Sequence, residues 1–351
     1  MVKDSSRFIN ACWGKPHNAV PVWFMRQAGR YQPTYRQLRE HHSFLQMAHS
    51  DTVITDVTCR PVEELGVDAA ILFSDIMIPM GPMGVDFDIQ EHYGPVIAHP
   101  IRSGQDVKHI KPLRPEKSLP EIFRSIEQIC RRIDPVPLIG FAGAPFTLAS
   151  YLIEGGPSKT YTETKKMMWE QPDLWKELMK RLADGVISHL SAQIRHGVQA
   201  VQIFDSWIGT LGVEDFEYAV LPTMQEIFSE LNALQVPTIY FGTDNLALLP
   251  LIKQSGARVL SLDWRVSLAE VRKELGSQVA LQGNLDPVVL LSSWEVLARK
   301  ARRVLEDMAG DPAYVFNLGH GVPPGTNPEL LKRLVDLVHD YAPATGSGME
   351  I

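Results

Sequence analysis

The sequence predicts an α/β fold, and most simply a single (β/α)8 TIM barrel that extends over residues 1–351 as one domain. Eight short runs rich in β-branched or aromatic residues alternate with longer amphipathic stretches, which is the pattern of strands separated by helices. Eight such strands joined by right-handed crossovers close most simply into a barrel. An open doubly wound sheet of eight strands is the alternative.

The eight predicted strands are runs of four to six residues: Val22–Met25, Ala69–Phe73, Val136–Phe141, Ala200–Phe204, Pro237–Phe241, Val259–Leu262, Val279–Gln282 and Tyr314–Asn317. Helices are predicted where apolar residues recur at spacings of three and four. The clearest are Leu174–Arg195, Asp215–Leu234, Ser267–Leu275 and Ser293–Met308, the last with Ser293 as its N-cap. The last ten residues, 342–351, are small and polar, and we expect them to fray.

Composition and charge restrict the function. The chain is 45% hydrophobic with a net charge of −7, which argues against a binder of nucleic acid or of anionic membranes, although a local basic pocket could still hold an anion. Cys12, Cys59 and Cys130 match no metal-binding or redox spacing. This spacing gives no reason to expect a metal. No signal peptide and no apolar run long enough to cross a bilayer is evident, so we expect a soluble, cytoplasmic protein.

Polar and glycine residues follow every predicted strand. In chain order these exits are Arg26, Ser74-Asp75, Gly143-Ala144-Pro145, Asp205-Ser206, Gly242-Thr243-Asp244, Asp263-Trp264, Gly283-Asn284 and Gly319-His320-Gly321. In a barrel these ends converge on one mouth, where active sites of this fold lie. Turn formation alone explains glycines and some aspartates. It does not explain Arg26, Arg30 or His320.

Two arginines on a glycine-containing turn have the chemistry of an anion clamp. A guanidinium is planar, permanently charged and able to hold a carboxylate through two parallel hydrogen bonds. Gly29, between Arg26 and Arg30, would let the backbone approach a ligand closely. The alternative is that Arg26 pairs with an internal acid and that Arg30 lies on the surface.

Asp75 and His320 are the other candidates that the residues themselves indicate. Asp75 follows an apolar strand, so its carboxylate is expected at the mouth, where it either caps the next helix or meets a donor or cation of a ligand. His320 lies between two glycines after the last strand and could be a metal ligand, a general base or a hydrogen-bond donor. Because it has no partner ligands at metal spacing, a metal is disfavoured.

Seven segments, in this order, resemble the sequence blocks of the uroporphyrinogen decarboxylase family: PVWFMRQAGRY, DAAILFSDI, GAPFTLASYLIEGG, IFDSWIGTLG, LDWR, QGNLDP and FNLGHGV. The resemblance extends from about Pro21 to Tyr341. It implies a single-domain barrel, a homodimer, a cytoplasmic location and no cofactor. The activity that it implies is removal of the four acetate carboxyl groups of uroporphyrinogen III as carbon dioxide, which gives coproporphyrinogen III.

The resemblance also implies roles for individual residues. Asp75 would accept hydrogen bonds from the pyrrole N–H groups and stabilise a cationic intermediate. The Arg26–Arg30 turn would hold substrate carboxylates, and both arginines could take part in proton transfer. The full set of substrate contacts that the resemblance implies is Arg26, Gln27, Ala28, Gly29, Arg30, Phe44, Asp75, Tyr151, Ser206 and His320.

Two other functions agree with parts of the sequence. Related barrels include cobalamin-dependent methyltransferases, which bind zinc through His and Cys, but no His-x-Cys arrangement lies near a strand end here. A tetrapyrrole carrier would bind the macrocycle without releasing carbon dioxide. The complete set of Arg, Asp, Tyr and His residues disfavours a carrier.

Overall fold

The computed structural model describes residues 6–90 and 93–341, so the predicted tail at 342–351 lies outside the described residues. Its centre is a curled sheet of seven parallel strands in the order β1-β4-β5-β6-β7-β8-β9, and β2 and β3 form a separate antiparallel pair. The strands are β1 Ala70–Ile71, β2 Phe87–Gln90, β3 Gly94–Ile97, β4 Leu138–Gly143, β5 Ala200–Asp205, β6 Thr238–Gly242, β7 Val259–Ser261, β8 Ala280–Leu285 and β9 Tyr314–Leu318.

Helices precede, connect and follow the strands of the sheet. In chain order they are α1 Arg7–Cys12, α2 Pro33–His41, α3 Phe44–Ala48, α4 Asp51–Leu65, α5 Gly104–His109, α6 Pro115–Ser118, α7 Pro120–Arg132, α8 Pro145–Glu154, α9 Thr162–Glu170, α10 Pro172–Arg195, α11 Val213–Ala219, α12 Leu221–Asn232, α13 Leu249–Gln254, α14 Leu268–Leu275, α15 Trp294–Asp307 and α16 Pro328–His339. Short 3-10 helices lie at Ile78–Met80, Ile208–Thr210, Leu246–Leu248 and Pro287–Leu291. Within the described ranges, no helix combines the length and apolarity that crossing a membrane requires.

The predicted α/β class with a parallel sheet is confirmed. Seven of the eight predicted strands lie in the large sheet. The largest difference in bounds is at β8, predicted as Val279–Gln282, because its pairing with β9 continues as far as Leu285 opposite Leu318. The β2–β3 hairpin was not predicted.

The prediction of a strand at Val22–Met25 is wrong in its extent. Only Val22 forms a bridge, parallel to Phe316 of β9. Trp23 N still donates to Phe316 O at 3.4 Å. The two following backbone N–H groups find side-chain acceptors instead of a neighbouring strand: Phe24 N donates to Gln27 Oε1 at 3.1 Å and Met25 N to Asn317 Oδ1 at 3.0 Å. Because these donors are already satisfied, the segment does not need a ladder of strand hydrogen bonds.

The predicted helix Asp215–Leu234 is two helices, α11 and α12, which meet at Val220. Pro222 lies in the first turn of α12, where its missing N–H costs little. In one continuous helix, the same proline ring would clash with the preceding turn. The proline therefore fixes the position of the break.

A buried polar layer shows how strongly the sheet curls. Gln282 Nε2 on β8 donates to Gln202 Oε1 on β5 at 3.0 Å and to Ser261 Oγ on β7 at 2.9 Å, and Trp23 Nε1 donates to Gln282 Oε1 at 2.9 Å. β5 and β8 are separated by two strands in the sheet. In a flat sheet strands lie almost 5 Å apart, so these side chains meet only because the sheet curves round on itself.

Candidate active site

The turn after Phe24 is strained and presents Arg26 at the carboxyl end of the sheet. Arg26 has φ 59°, in the left-handed region that side chains rarely adopt. Gly321 lies directly against the arginine side chain, since a Cβ there would be 2.4 Å from Arg26 Cδ. Val322 N donates to Met25 O at 2.9 Å, which joins the two turns. The arginine therefore depends on a glycine that is distant in the sequence.

The Gln27 side chain points into the fold. It is 1% exposed, and its Nε2 donates to Ala69 O at 3.1 Å while its Oε1 accepts from Phe24 N. The Gln27 carbonyl accepts from the Tyr31 hydroxyl at 2.7 Å. Gln27 thus fixes the shape of the turn, and its side chain is not on the surface of the mouth.

The remaining residues of this turn are more open. Ala28 and Gly29 are half-buried and Arg30 is exposed. A Cβ at Gly29 would lie 3.3 Å from Arg26 O, which leaves little room for a larger residue. Arg36 NH1 donates to Arg30 O at 3.0 Å and so fastens the far side of the turn to α2.

Asp75 lies four residues beyond β1, at the same edge of the sheet. Its Oδ1 accepts from Met77 N at 2.9 Å, and its own carbonyl accepts from Ile78 N, which begins the 3-10 helix Ile78–Met80. Burial raises the pKa of Asp75, while the Met77 N–H and the Arg26 charge oppose that rise. The side chain keeps some exposure although protein surrounds it on most sides, as expected for a group at the bottom of an open cleft.

Tyr151 reaches the site from α8, the helix that follows β4. Its ring packs against Trp207 at 5.9 Å between centroids, with the planes 70° apart. Burial raises the pKa of Tyr151 to about 12, and the nearby Asp75 carboxylate adds to this rise. The hydroxyl is therefore protonated at neutral pH.

His320 follows β9 and lies between aromatic rings, 6.2 Å from Phe241 and 6.5 Å from Trp264 between centroids. Burial and, to a smaller extent, the Arg26 charge lower the pKa of His320 to about 4, whereas Asp263 opposes this shift. The imidazole is thus neutral at pH 7, with one nitrogen as donor and the other as acceptor.

One cation connects these residues. The charge of Arg26 lowers the pKa of Asp75, of Tyr151 and of His320, so all three lie within its electrostatic reach. Asp75 and His320 lie on turns at the carboxyl end of one parallel sheet, and Tyr151 reaches the same end from α8. The arrangement places a carboxylate, a phenol and an imidazole around a guanidinium, which suits an anionic ligand that also carries hydrogen-bond donors.

Ser206 directly follows β5 and is half-buried. Its carbonyl accepts from Thr243 Oγ1 at 2.8 Å, which ties the turn after β5 to the turn after β6. Asp244, which follows Thr243, donates its N–H to Asp263 Oδ2 at 2.5 Å and so ties the β6 turn to the β7 turn. Neighbouring turns at the mouth are therefore connected to one another.

Close glycine contacts continue this connection around the mouth. A Cβ at Gly319 would lie 2.3 Å from Trp264 N, so the turn after β9 packs directly on the backbone of the turn after β7. A Cβ at Gly209 would lie 2.3 Å from Thr243 O. Glycine is required at both positions because the backbones are in contact.

Phe44 also lies beside the site. Its ring is 5.4 Å from that of Phe73, which leads into Asp75, and Tyr35 packs on the same ring at 5.9 Å. Ser43 and Gln46 form a capping box at the start of α3, which fixes the position of Phe44 as the first helical residue. This agrees with an aromatic wall on the Asp75 side of the mouth.

Comparison with known proteins identifies the family. A family model described as "Uroporphyrinogen decarboxylase (URO-D)" matches residues 3–341. The chain is 48% identical over 339 residues to the protein named uroporphyrinogen decarboxylase of Geobacillus sp. (strain WCH70), covering 97% of this chain and 98% of that one. The chain belongs to the uroporphyrinogen decarboxylase family. It is 47% identical over 335 residues to the protein of that name from Bacillus pumilus (strain SAFR-032), covering 95% of each chain.

Solved structures support the fold of this decarboxylase family member. A methyltransferase from Methanosarcina mazei superposes with a TM-score of 0.79 at 20% identity, covering 95% of this chain and 97% of that one. A B12-independent methionine synthase from Shewanella sp. W3-18-1 gives a TM-score of 0.52 at 10% identity, covering 84% and 87%. At these identities the likeness concerns the fold alone.

The methyltransferase alternative depends on a metal-binding cluster. Over residues 6–90 and 93–341, no three or more His, Cys, Asp and Glu side chains are grouped so as to hold a metal ion. Cys12 and Cys59 are buried and Cys130 is half-buried, and all three are free thiols. The family assignment therefore agrees better with the side chains at the mouth than a zinc-dependent methyltransferase does.

Three contacts at the mouth were not predicted from the sequence. Trp207 holds the Tyr151 ring, Gly321 packs on Arg26, and Phe73 packs on Phe44. The resemblance blocks contain Trp207 and Gly321, but the residue pattern does not reveal which side chain each of them would contact. The residues could be found in the sequence, but their contact partners could not.

Proposed function

We propose that this chain removes the four acetate carboxyl groups of uroporphyrinogen III as carbon dioxide and so produces coproporphyrinogen III. Family membership and the names of its relatives support the activity. The observation that carries the assignment of the site is the gathering of Asp75, Tyr151 and His320 at the carboxyl end of one sheet, within reach of the Arg26 charge.

The substrate requires a locally cationic site in an acidic protein. Uroporphyrinogen carries eight carboxylates, whereas the chain has a net charge of −7. Arg26 and the exposed Arg30 lie on one turn and would hold substrate carboxylates through two-pronged hydrogen bonds. Gly29 and Ala28 would form the floor between them, and Phe44 a hydrophobic wall. Tyr151, Ser206 and neutral His320 would bind the remaining polar groups.

Decarboxylation requires an electron sink, a group that accepts the electron pair of the breaking carbon–carbon bond. Protonation of the pyrrole carbon next to an acetate arm makes the ring cationic. The carbon–carbon bond to the carboxylate then breaks, its electrons pass to the ring, and carbon dioxide leaves. A proton added to the exocyclic carbon gives a methyl group, and loss of the ring proton restores the pyrrole. The substrate supplies its own electron sink, so we propose no cofactor.

Asp75 would be the catalytic residue that stabilises the cation. The Met77 N–H holds its Oδ1, and the pyrrole N–H groups would donate to the carboxylate at the centre of the macrocycle. These donors would favour the ionised form and so oppose the effect of burial on the Asp75 pKa. Preorganised charges of this kind typically contribute about 3–4 kcal/mol to a barrier.

The proton source is constrained by the protonation states of the neighbours. His320, with its pKa lowered to about 4, carries no extra proton at neutral pH. Tyr151, with its pKa raised to about 12, is a weak acid. The proton donors that stay open are Tyr151, Arg26 or Arg30 with a carboxylate that relays the proton, and water that these residues hold.

The proposal is tested by an anaerobic assay with uroporphyrinogen III that separates products by their number of carboxylates. The wild type is expected to proceed stepwise to four carboxylates. Asp75→Asn can keep the Met77 hydrogen bond and the fold, and we expect its kcat to fall roughly 10²- to 10³-fold. Tight binding without decarboxylation by the wild type would favour a tetrapyrrole carrier, and normal turnover by Asp75→Asn would refute the role of Asp75.

We also propose a closed (β/α)8 barrel in which Val22–Met25 completes the ring. The backbone of this segment hydrogen-bonds on both sides: Trp23 N donates to Phe316 O of β9 at 3.4 Å, and Asp68 N, next to β1, donates to Val22 O at 2.8 Å. On the family resemblance, residues 1–351 would form one domain that acts as a cytoplasmic homodimer. Equilibrium sedimentation of the full chain tests the dimer, and a mass of 39.3 kDa would contradict it.

A further inference from the structure

Asp205 is a buried carboxylate that the proposed mechanism does not use. It is the last residue of β5 and has 0% exposure. Burying a carboxylate costs free energy unless hydrogen bonds compensate, so its presence next to Ser206 needs a reason. Over the described residues, three hydrogen bonds lower its pKa, those from the Tyr240 hydroxyl, the Thr147 hydroxyl and the Thr147 backbone N–H, and no cation acts on it.

Both hydroxyls donate to Asp205. Thr147 Oγ1 on α8 donates to Oδ1 at 2.7 Å, and Tyr240 OH on β6 donates to Oδ2 at 2.7 Å. Burial raises the pKa of Asp205 to about 6, and the two hydrogen bonds oppose this rise. At neutral pH the group is therefore mainly ionised, accepts from both hydroxyls and fixes the direction of their hydrogens.

The Thr147 hydroxyl connects the Asp205 carboxylate to the mouth. Since its hydrogen points to Asp205, its lone pairs are free to accept, and Trp207 N donates to Thr147 Oγ1 at 3.3 Å. The Trp207 ring in turn packs against Tyr151, one helical turn beyond Thr147 on α8. Ser206 lies between Asp205 and Trp207, so its backbone is held at both ends.

We infer that Asp205 is a positioning residue that sets Ser206 and Tyr151 in place through Thr147 and Trp207. The inference rests on the proposed function for its kinetic consequence. The Tyr240 hydroxyl contacts the other oxygen of the same carboxylate and does not touch the Ser206-Trp207 turn through Thr147. The two hydroxyls therefore provide a matched pair: both stabilise Asp205, and one of them leads to the site.

The test compares kcat and KM of purified full-length variants with uroporphyrinogen III. Thr147→Val, which keeps the shape and removes the hydroxyl, and Asp205→Asn are each expected to lower kcat/KM roughly 10- to 100-fold, as small misplacements near a reacting centre do. Their double variant should fall no further than the more affected single variant, because both act through one pathway. Thr147→Ser, which restores the hydroxyl, should return kcat/KM to near the wild-type value.

Tyr240→Phe is the control for loss of a buried hydroxyl at the same carboxylate. It should lower Tm as much as Thr147→Val does while keeping kcat/KM within about threefold of wild type. Equal losses of kcat/KM in Tyr240→Phe and Thr147→Val, or wild-type kinetics in Asp205→Asn, would overturn the inference. The Thr147 variants keep the test decisive if Asp205→Asn does not fold.

A crystal structure of Thr147→Val separates this inference from the proposed function. If the wild type does not decarboxylate uroporphyrinogen, the proposed function fails, but the structural claim still predicts an outcome. The Tyr151 and Trp207 rings, 5.9 Å apart between centroids, should separate or reorient in the variant. An unchanged ring pair and an unchanged Ser206–Thr243 hydrogen bond would refute the positioning role.

Discussion

Arg26 combines a side chain that we propose binds substrate carboxylates with an unfavourable backbone conformation. A residue with a side chain at φ 59° costs roughly 1–2 kcal/mol relative to the right-handed conformation. Glycine would remove that cost but would also remove the guanidinium. Strain that persists at a strand exit, where a smaller residue would be more stable, is a feature of functional sites.

Gly321→Ala tests how much the mouth depends on the position of Arg26. The new Cβ would lie 2.4 Å from Arg26 Cδ, so the arginine must move. Because Arg26 is exposed and can shift without unfolding the protein, we expect KM for uroporphyrinogen to rise and kcat/KM to fall roughly tenfold, with little change in Tm. Steady-state kinetics and thermal unfolding measure both quantities.

Gly212→Ala is the matched control for this substitution. A Cβ at Gly212 would meet nothing within 4 Å, so the same chemical change should leave kcat/KM unchanged. Equal kinetics in Gly321→Ala and wild type would contradict the contact between Gly321 and Arg26.

At the scale of single residues, the sequence predicts which residues belong to the site better than it predicts their contacts. Arg26, Asp75, Tyr151 and His320 were predicted as site residues, and the charge of Arg26 acts on the other three. Asp75 and His320 follow strands at one edge of the sheet, whereas Tyr151 reaches that edge from α8. Gln27 was placed with them, yet its side chain turns inward to the carbonyl of Ala69, 42 residues away along the chain. No local pattern tells which distant acceptor a glutamine will find.

At the scale of elements, the segment Val22–Met25 is anchored by side chains. Asp68, just before β1, accepts from Val22 N and from His339 Nε2, both at 2.7 Å, and faces Arg7 Nε at 3.3 Å. One carboxylate thus joins this segment to α1 and α16. Sequence periodicity predicted the apolar run correctly, but not that side-chain acceptors would replace strand pairing.

Asp68→Ala is expected to destabilise the whole fold. It leaves the Val22 N–H and the His339 ring without their acceptor, which should lower the free energy of unfolding by roughly 2–3 kcal/mol. Denaturation by urea, followed by circular dichroism, measures this loss. Asp88→Ala on β2 is the control: Asp88 is exposed and, within the described part of the chain, accepts from its neighbour Ile89, so its loss should cost less than about 0.5 kcal/mol. Similar losses in both variants would refute the anchoring role of Asp68.

For the whole molecule, α10 contains a buried histidine that makes stability depend on pH. Burial lowers the pKa of His189 from 6.5 to about 4, and among the described residues its Nδ1 has no hydrogen-bond partner. Between these two pH values the unfolded chain binds a proton that the folded chain does not. Stability is therefore fully present above pH 6.5 and falls as the pH decreases towards 4.

His189→Leu should remove that contribution. The shift corresponds to roughly 3 kcal/mol between the two ends of this range, so the variant should lose less stability than wild type on going from pH 7 to pH 4. Urea denaturation at several pH values gives the slope. His99→Leu, at an exposed position, should keep the wild-type slope, and a wild-type slope in His189→Leu would show that other groups cause the acid sensitivity.

The overall architecture was predictable because periodicity is local. Seven strands and the parallel class follow from apolar runs and their spacing. The curl of the sheet brings Gln202 and Gln282, 80 residues apart, into contact. The β2–β3 hairpin depends on a strand pairing that no apolar run predicted. What depends on a few long-range side-chain contacts cannot be deduced from one sequence.

The connected turns at the mouth limit how this protein can be redesigned. The turns after β5, β6 and β7 share hydrogen bonds through Thr243 and Asp244, and the turn after β9 packs on the β7 turn at Gly319. A loop grafted into one exit would displace its neighbours as well, so exchange of whole loops, the usual way to give barrel enzymes new activities, is a poor strategy here. Substitution of exposed side chains on the existing turns is the better one.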